Sequence, residues 1–339
     1  STFLSRKSFQ AGLDPENDDF PGILSNDGVY IREVSIFPES QNLPNPDPEE
    51  TLYGMLGILA QGFGYQLGLP TLFDNVDENG RSFGIGFFGV MGYGVWCANG
   101  YVPPLPCAWS RYYLGWEDDN LEVLDQSDVN LPLVFPMADD DQTPKLYKIL
   151  ISDNEYFLLE NRQQNPDGSF FVNNQNDSLA TFSFQLIEDQ EYYPPEHPYA
   201  GQPKFDFMKN SYAGCEWDFY LPGYGNGDAM ENDGSGILIW HIDENVILAN
   251  FSPDYEINTV NGDASHKGVD LEEADGIQHL DSVINEYSLG SPFDAYRLGN
   301  NNYFGKMYPE PGVISLPTSE SYYGGIQLEI SEISGSDSL

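Results

Sequence analysis

Residues 61–74 read Gln61-Gly62-Phe63-Gly64-Tyr65-Gln66-Leu67-Gly68-Leu69-Pro70-Thr71-Leu72-Phe73-Asp74. This is the end of an apolar segment running into a Gly-Leu-Pro turn. Upstream, residues 51–67 place Leu52, Met55, Leu56, Leu59, Phe63 and Leu67 at three- and four-residue spacing, which predicts a helix with that face turned to the core. Gly54, Gly57, Gly62 and Gly64 lie within it. Each costs up to about 1 kcal/mol relative to Ala, so burial and close packing must stabilise such a helix.

Working outward, residues 1–50 are rich in Pro, Asp, Asn and Gly and read as loops around one strand, Gly28 to Ile36. Residues 68–120 are loop-rich, with a short helix expected at Ala108–Leu114. Strands are expected at 129–135, 145–151, 155–162 and 180–187, with a turn at 165–168. Residues 190–235 are polar and rich in Pro and Gly. Residues 236–243, GILIWHID, form the clearest buried strand, and 325–333 read as a last one. The fold class is α+β with long loops, which in a compact domain are usually functional or tied down by ions. A helix and loop region, 1–120, precedes a β-rich region, 121–339, and the two are expected to complete one body.

The composition narrows function. Hydrophobic residues make up 40% of the 339, enough for a sizeable core. Fifty-four acidic residues against 13 basic ones leave a net charge of -41. Like charge repels nucleic acid and anionic membrane, so neither is an expected partner. No apolar stretch reaches the 18 or so residues of a membrane span. The residues from Ser1 do not read as a signal peptide, and since mature secreted proteins lack one too, this says nothing about compartment. Solubility or adaptation to high salt accounts for most of the acids, with a handful left over for calcium. Cys97 and Cys107 bracket the loop CANGYVPPLPC. They are candidates for a local disulfide or for two free buried thiols, and the disulfide would leave Cys215 unpaired.

A zinc-peptidase helix needs two His at i and i+4, with a Glu after the first to polarise the metal-bound water. The segment 61–74 resembles the H-E-x-G-H-x-x-G-L-P-D-x-[YF]-D pattern of the immune-inhibitor-A family of secreted zinc metallopeptidases. Gly64, Gly68, Leu69, Pro70, Phe73 and Asp74 keep the frame. The chemistry is gone: Gln61 and Tyr65 stand for the two His, Gly62 for the Glu and Thr71 for the Asp. Residues 84–96 (with Met91 at a Met-Gly turn), 108–116, 155–163, 234–244 and 267–276 also resemble family segments, in the family's order. The resemblance implies a zincin-like fold with a degenerate site. A neutral amide is a poor zinc ligand, and Gly62 supplies no base. Tyr65 is expected to fill the space of a metal and its water, with Gln61 hydrogen-bonded beside it.

Of the four His, His197, His241, His266 and His279, no two are spaced i, i+4. His241 is expected to be a core histidine bonded to a carboxylate such as Asp243. Two calcium candidates remain. Asn75, Asp77 and Asn79 precede Gly80 like the first half of an EF-hand loop, but Gly86 occupies the position of the closing Glu. The resemblance further implies calcium where residues 239–245 meet 257–276, with Asp243, Asn258, Asp270, Glu273 and Asp275 as candidate oxygens. The expected function is a secreted or cell-surface, non-catalytic, calcium-stabilised structural or binding module. Its partner would be a protein, a glycan or its own kind in an assembly; zinc is not expected. The alternative is a hydrolase with a relocated site. Acidic pairs such as Glu272/Glu273 and Asp118/Asp119 are available, but no G-x-S-x-G elbow exists, and Gly234-Ser235-Gly236 precedes a strand. A third reading, compatible with the first, makes the acidity an adaptation to brine.

Overall fold

The computed structural model describes residues 2–4, 21–38, 54–76, 82–100, 102–124, 131–136, 142–164, 182–183, 211–212, 218, 221–222, 234–281, 289–305, 317–325 and 328–334. Asp77, Asn79, Cys215 and His197 lie outside these. The strands are β1 (Thr2–Leu4), β2 (Ile23–Leu24), β3 (Tyr30–Ile31), β4 (Val34–Ile36), β5 (Leu121–Val123), β6 (Leu146–Leu150), β7 (Glu155–Arg162), β8 (Phe182–Ser183), β9 (Ser211–Tyr212), β10 (Gly236–Asp243) and β11 (Val269–Leu271). The helices are Leu56–Gln66, Ala108–Tyr113 and Glu244–Asn250, with 3-10 turns at Gly86–Phe88, Tyr93–Gly100 and His279–Asp281.

The centre is a five-stranded sheet in the order β11-β10-β7-β6-β5, antiparallel except where β5 runs parallel to β6. β7 and β10 pair along their whole length, from Gly236 opposite Arg162 to Asp243 opposite Glu155. Both are buried almost throughout, because apolar side chains emerge from both faces of the sheet and both faces are covered. On one face Leu146, Tyr156, Leu158, Leu238, Trp240, Ile242, Val269 and Leu271 pack against Leu69, Leu72, Ile85, Phe88, Met91 and Trp109. On the other, Tyr147, Phe157, Leu159 and Ile239 pack against Ala274, Tyr296 and Phe304. The first core joins residues from before and after position 120, so the chain's two regions share it.

A buried ion network fastens the Ala108–Tyr113 helix to the sheet. Arg111 pairs with Glu117 (2.7 Å) and Glu160 (2.8 Å), and Arg162 with Glu160 (3.1 Å) and Asp218. Trp240 Nε1 donates to Glu160 Oε1 at 2.8 Å. Removing one member would leave buried charge unpaired, which typically costs 3–5 kcal/mol.

The helix over the motif is Leu56–Gln66, and its inward face is the opposite of the one expected. Gly57, Ile58, Gln61, Gly62 and Gly64 are buried, while Leu56, Leu59 and Phe63 are 44%, 44% and 58% exposed. Glycine explains the reversal. A Cβ on Gly57 would lie 1.9 Å from Val95 O, and one on Gly64 would lie 2.5 Å from Met91 Sδ. The helix backbone therefore sits directly on the Tyr93–Gly100 turn, closer than any side chain allows.

Several other expectations are corrected. Residues 131–135 form no strand, because Val134 N bonds Pro144 O in a loop. The described part of 325–333 forms no named strand; a bridge between Ile330 and Phe304, a bond from Ile333 N to Asn302 O (3.1 Å) and packing of Leu328, Ile330 and Ile333 on the second core hold it to the fold. The strand expected at 28–36 is split into β3 and β4, and these pair with β2 and β1 respectively. Cys97 and Cys107 are buried thiols and are not joined in a disulfide. Cys107 begins the Ala108–Tyr113 helix with its Sγ 3.4 Å from Ser110 Oγ, and burial pushes both thiols above their ordinary range.

Candidate functional site

The Leu56–Gln66 helix carries Gln61, Gly62 and Tyr65 on or beside its buried face. Gln61 Nε2 donates to Val90 O (3.2 Å) and Gly92 O (3.5 Å), so its amide is tied to the Met91 turn. At Gly62 a Cβ would lie 2.3 Å from Phe37 Cζ, so the Phe37 ring occupies the space a Glu side chain would need. The β4 strand holds Phe37 there: Ser35 Oγ donates to Gly62 O (3.1 Å) and receives a bond from Gln66 Nε2 (3.1 Å).

Tyr65 and Thr71 face each other across the Gly-Leu-Pro turn, with Tyr65 Oη 3.1 Å from Thr71 Oγ1. Gly68, at φ 94°, makes that turn possible. Asn258 closes the network. Its Oδ1 accepts from Thr71 N (2.8 Å) and its Nδ2 donates to Thr71 Oγ1 (3.0 Å). Tyr255, in the left-handed region at φ 60°, donates its hydroxyl to Tyr65 O (2.7 Å) and Leu69 O (2.8 Å). That backbone costs on the order of 1–3 kcal/mol, offset by capping two carbonyls at the helix end and packing edge-on against Tyr65. Burial raises the Tyr65 phenol, partly offset by the bond with Thr71. At these four positions the cleft thus holds an amide, a hydrogen, a phenol and a hydroxyl. The three polar groups are engaged by protein, and none is a general base at neutral pH.

No protein-family model, curated protein or solved structure matches this chain. The likeness to immune-inhibitor-A peptidases rests on the quoted motifs alone.

Most of the proposed calcium oxygens are engaged by protein groups. Asn75 is exposed and donates Nδ2 to Asn258 O (2.9 Å), which joins the first candidate loop to the Thr71 network. Asp243 caps the Glu244–Asn250 helix through Asn245 N (2.9 Å), and its other oxygen takes His266 Nε2 (2.8 Å) and Tyr323 Oη (2.7 Å). Asp270 takes Lys267 Nζ (2.5 Å). Asp275 accepts from Ile277 N (2.8 Å).

His241 is a core histidine, but its partners are Glu155 (2.9 Å, Nε2) and Glu272 (3.1 Å, Nδ1) rather than Asp243. Alternation puts His241, Asp243 and Glu155 on one face of adjacent strands, but the Asp243 carboxylate is already taken by the helix cap at Asn245 N and by His266 and Tyr323. Burial alone would lower the imidazole's pKa, but the two carboxylates outweigh it and raise it to about 9. Glu155 also accepts from Ser321 Oγ (2.5 Å) and Tyr322 N (2.8 Å), which pins 317–325 onto the sheet. Tyr322 stacks between His241 and His266, with centroids 4.4 and 3.9 Å away.

Among the described residues, one cluster has the composition of a metal centre: Glu273, His279 and Asp294 bring ligand atoms within 4.8 Å of one another. Burial, and then the Asp294 charge, push Glu273 up to about 10. Sequence reading reached Glu273 but missed His279 and Asp294 as its companions. The only signal was the spacing Glu273-x-Asp275-x-x-x-His279; Asp294 stands at a sequence distance that no period encodes.

Proposed function

We propose that this protein is a non-catalytic relative of secreted zinc metallopeptidases, acting outside the cell as a structural or binding module. The single observation that carries the reading is the way the cleft is filled. Where the resembled family places its ligands and base, Gln61 is bonded to carbonyls, Phe37 covers Gly62, and Tyr65, Thr71 and Asn258 close a network. Losing a general base alone typically costs 10²–10⁴-fold in rate. Losing the imidazole pair as well removes the means to bind and activate a metal-bound water. Among the described residues, no helix is long and apolar enough to cross a membrane. The zincin-like assignment belongs to the same proposal. It is supported by the Gly-Leu-Pro turn after a helix, with the Met91 turn packed beneath.

The test is an assay on mixed peptide substrates with and without added zinc. No turnover above background is expected, and chelator should make no difference. Chelator-sensitive cleavage that disappears in Gln61→Ala or Tyr65→Phe would overturn the reading.

A further inference from the structure

We propose that Glu273, His279 and Asp294 form a structural binding site for one divalent first-row metal ion of the zinc type, built from residues other than those that fill the cleft and independent of the reading given for it. Glu273 and Asp294 are fully buried and His279 nearly so. Each offers a ligand atom within 4.8 Å of the others'. The carboxylates are held from behind. Glu273 Oε1 accepts from His279 N (2.7 Å) and Leu280 N (3.2 Å), while Asp294 Oδ2 accepts from Ser291 N (2.7 Å). Their second oxygens, Glu273 Oε2 and Asp294 Oδ1, are buried with no hydrogen-bond partner, as is the nearby Tyr296 hydroxyl. Buried carboxylate oxygens are seldom left so. Such a group is normally paired, protonated or bound to a metal.

The surrounding charges sharpen the point. His241 lies between Glu155 and Glu272, and Lys267 between Asp270 and Asp281 (both 2.5 Å). The Lys267 and His241 side chains thus pair with carboxylates other than Glu273 and Asp294, and Arg297, whose charge reaches Asp294, donates to the backbone carbonyls of Ser235 (3.1 Å), Ala295 (3.4 Å) and Pro292 (3.0 Å). Those two form no ion pair within 4 Å among the described residues. With both carboxylates ionised, as ligation requires, a divalent cation would balance them.

The ligand set decides which kind. Calcium takes six to eight oxygens. Here three protein groups converge, one of them an imidazole, which suits zinc and its neighbours. The turn that carries the site is fixed by backbone bonds: Ala274 N to Asp294 O (3.1 Å), Phe83 N to Leu280 O (2.8 Å) and Phe87 N to Leu289 O (2.8 Å). A metal there would tie the end of β11 to the 82–88 loop beneath the Met91 turn.

The experiment treats the whole chain with chelator, then titrates it with Zn²⁺, Co²⁺ or Ca²⁺. Uptake is followed by calorimetry and mass spectrometry, and stability by thermal denaturation. One equivalent of Zn²⁺ is expected, raising Tm by on the order of 5 °C at a hundredfold excess over Kd. Co²⁺ should show the visible absorption of a low-coordinate site with a nitrogen ligand. Glu273→Gln and Asp294→Asn should each lose that equivalent, whereas Asp118→Asn on the surface should keep it. The cobalt spectrum is read on the unaltered chain, so the test survives a variant that fails to fold. The proposal is overturned if Zn²⁺ leaves Tm unmoved while Asp294→Asn folds with equal or greater stability, since a proton shared between the carboxylates then explains the pair. It is also overturned if Ca²⁺ alone binds and stabilises.

Discussion

Gly57 and Gly62 look alike in the sequence but meet different obstacles. Ala is preferred over Gly in a helix by about 1 kcal/mol. Against that, a Cβ on Gly57 meets a backbone carbonyl, Val95 O at 1.9 Å, whereas one on Gly62 meets the end of the half-buried Phe37 ring, which can turn aside. Gly57→Ala is therefore expected to destabilise by about 1–3 kcal/mol or more. Gly62→Ala should cost less, and in a Phe37→Ala background it should become stabilising. Denaturant unfolding of the four variants would show it; equal costs at the two glycines would remove close packing as the reason for their presence. His241 offers a pH test. Its pKa is raised from 6.5 to about 9 by Glu155 and Glu272. Its contribution is thus complete below about pH 6.5 and lost as pH rises through 9. Glu155 is shifted the other way: its burial is outweighed by bonds from His241, Ser321 and Tyr322, so it contributes above its ordinary pKa and is lost in acid. Thermal scans from pH 6 to 9.5 should show falling stability that flattens in His241→Gln. A profile identical in the two proteins would mean that the imidazole is not charged in the fold.

At the scale of elements, strands were the most legible part. Residues 155–162 and 236–243 are apolar on both sides of the pleat, and only a central, doubly covered position satisfies such a run. The Leu56–Gln66 helix was legible as a helix but not in its orientation. Its apolar periodicity marks Leu56, Leu59 and Phe63, yet those are the exposed residues, and Ile58 is 3% exposed. Periodicity counts apolar side chains; it does not register that a glycine face admits a neighbouring backbone. Ile58→Ala is accordingly expected to cost 2–5 kcal/mol, and Phe63→Ser no more than about 0.5 kcal/mol. Urea midpoints would check this, and the reverse ranking would restore the orientation read from periodicity. The edge strands Leu121–Val123 and Val269–Leu271 went unread because three residues carry too little pattern, and they form only against partners already in place.

For the molecule as a whole, charge dominates. A net of -41 spread over 339 residues makes the folded state repel itself. The Debye length shrinks from roughly 30 Å at 0.01 M salt to 8 Å at 0.15 M, so stability should rise with NaCl over that range and level off above it. Thermal denaturation across the series would test this. A fall with salt would mean that the buried pairs of Arg111, Arg162 and Lys267 outweigh the surface repulsion.

Some features followed from the residues alone. Two strands with apolar side chains on both faces must lie at the centre of a sheet. Gly68 before Leu69-Pro70 must turn. Gln61, Gly62 and Tyr65 carry an amide, a hydrogen and a phenol, and the proposal that the helix has lost a peptidase's ligands and base starts from those atoms. These are local statements about which atoms a residue has and which backbone angles it tolerates. What fills the space they leave was decided by tertiary structure: Phe37 over Gly62, Asn258 on Thr71, Glu155 and Glu272 around His241, and Asp294 beside Glu273. Each pairing joins segments far apart in the chain, and loop path and strand register set their distances. A sequence period describes neighbours on one element; it carries no information about which loop will close over them.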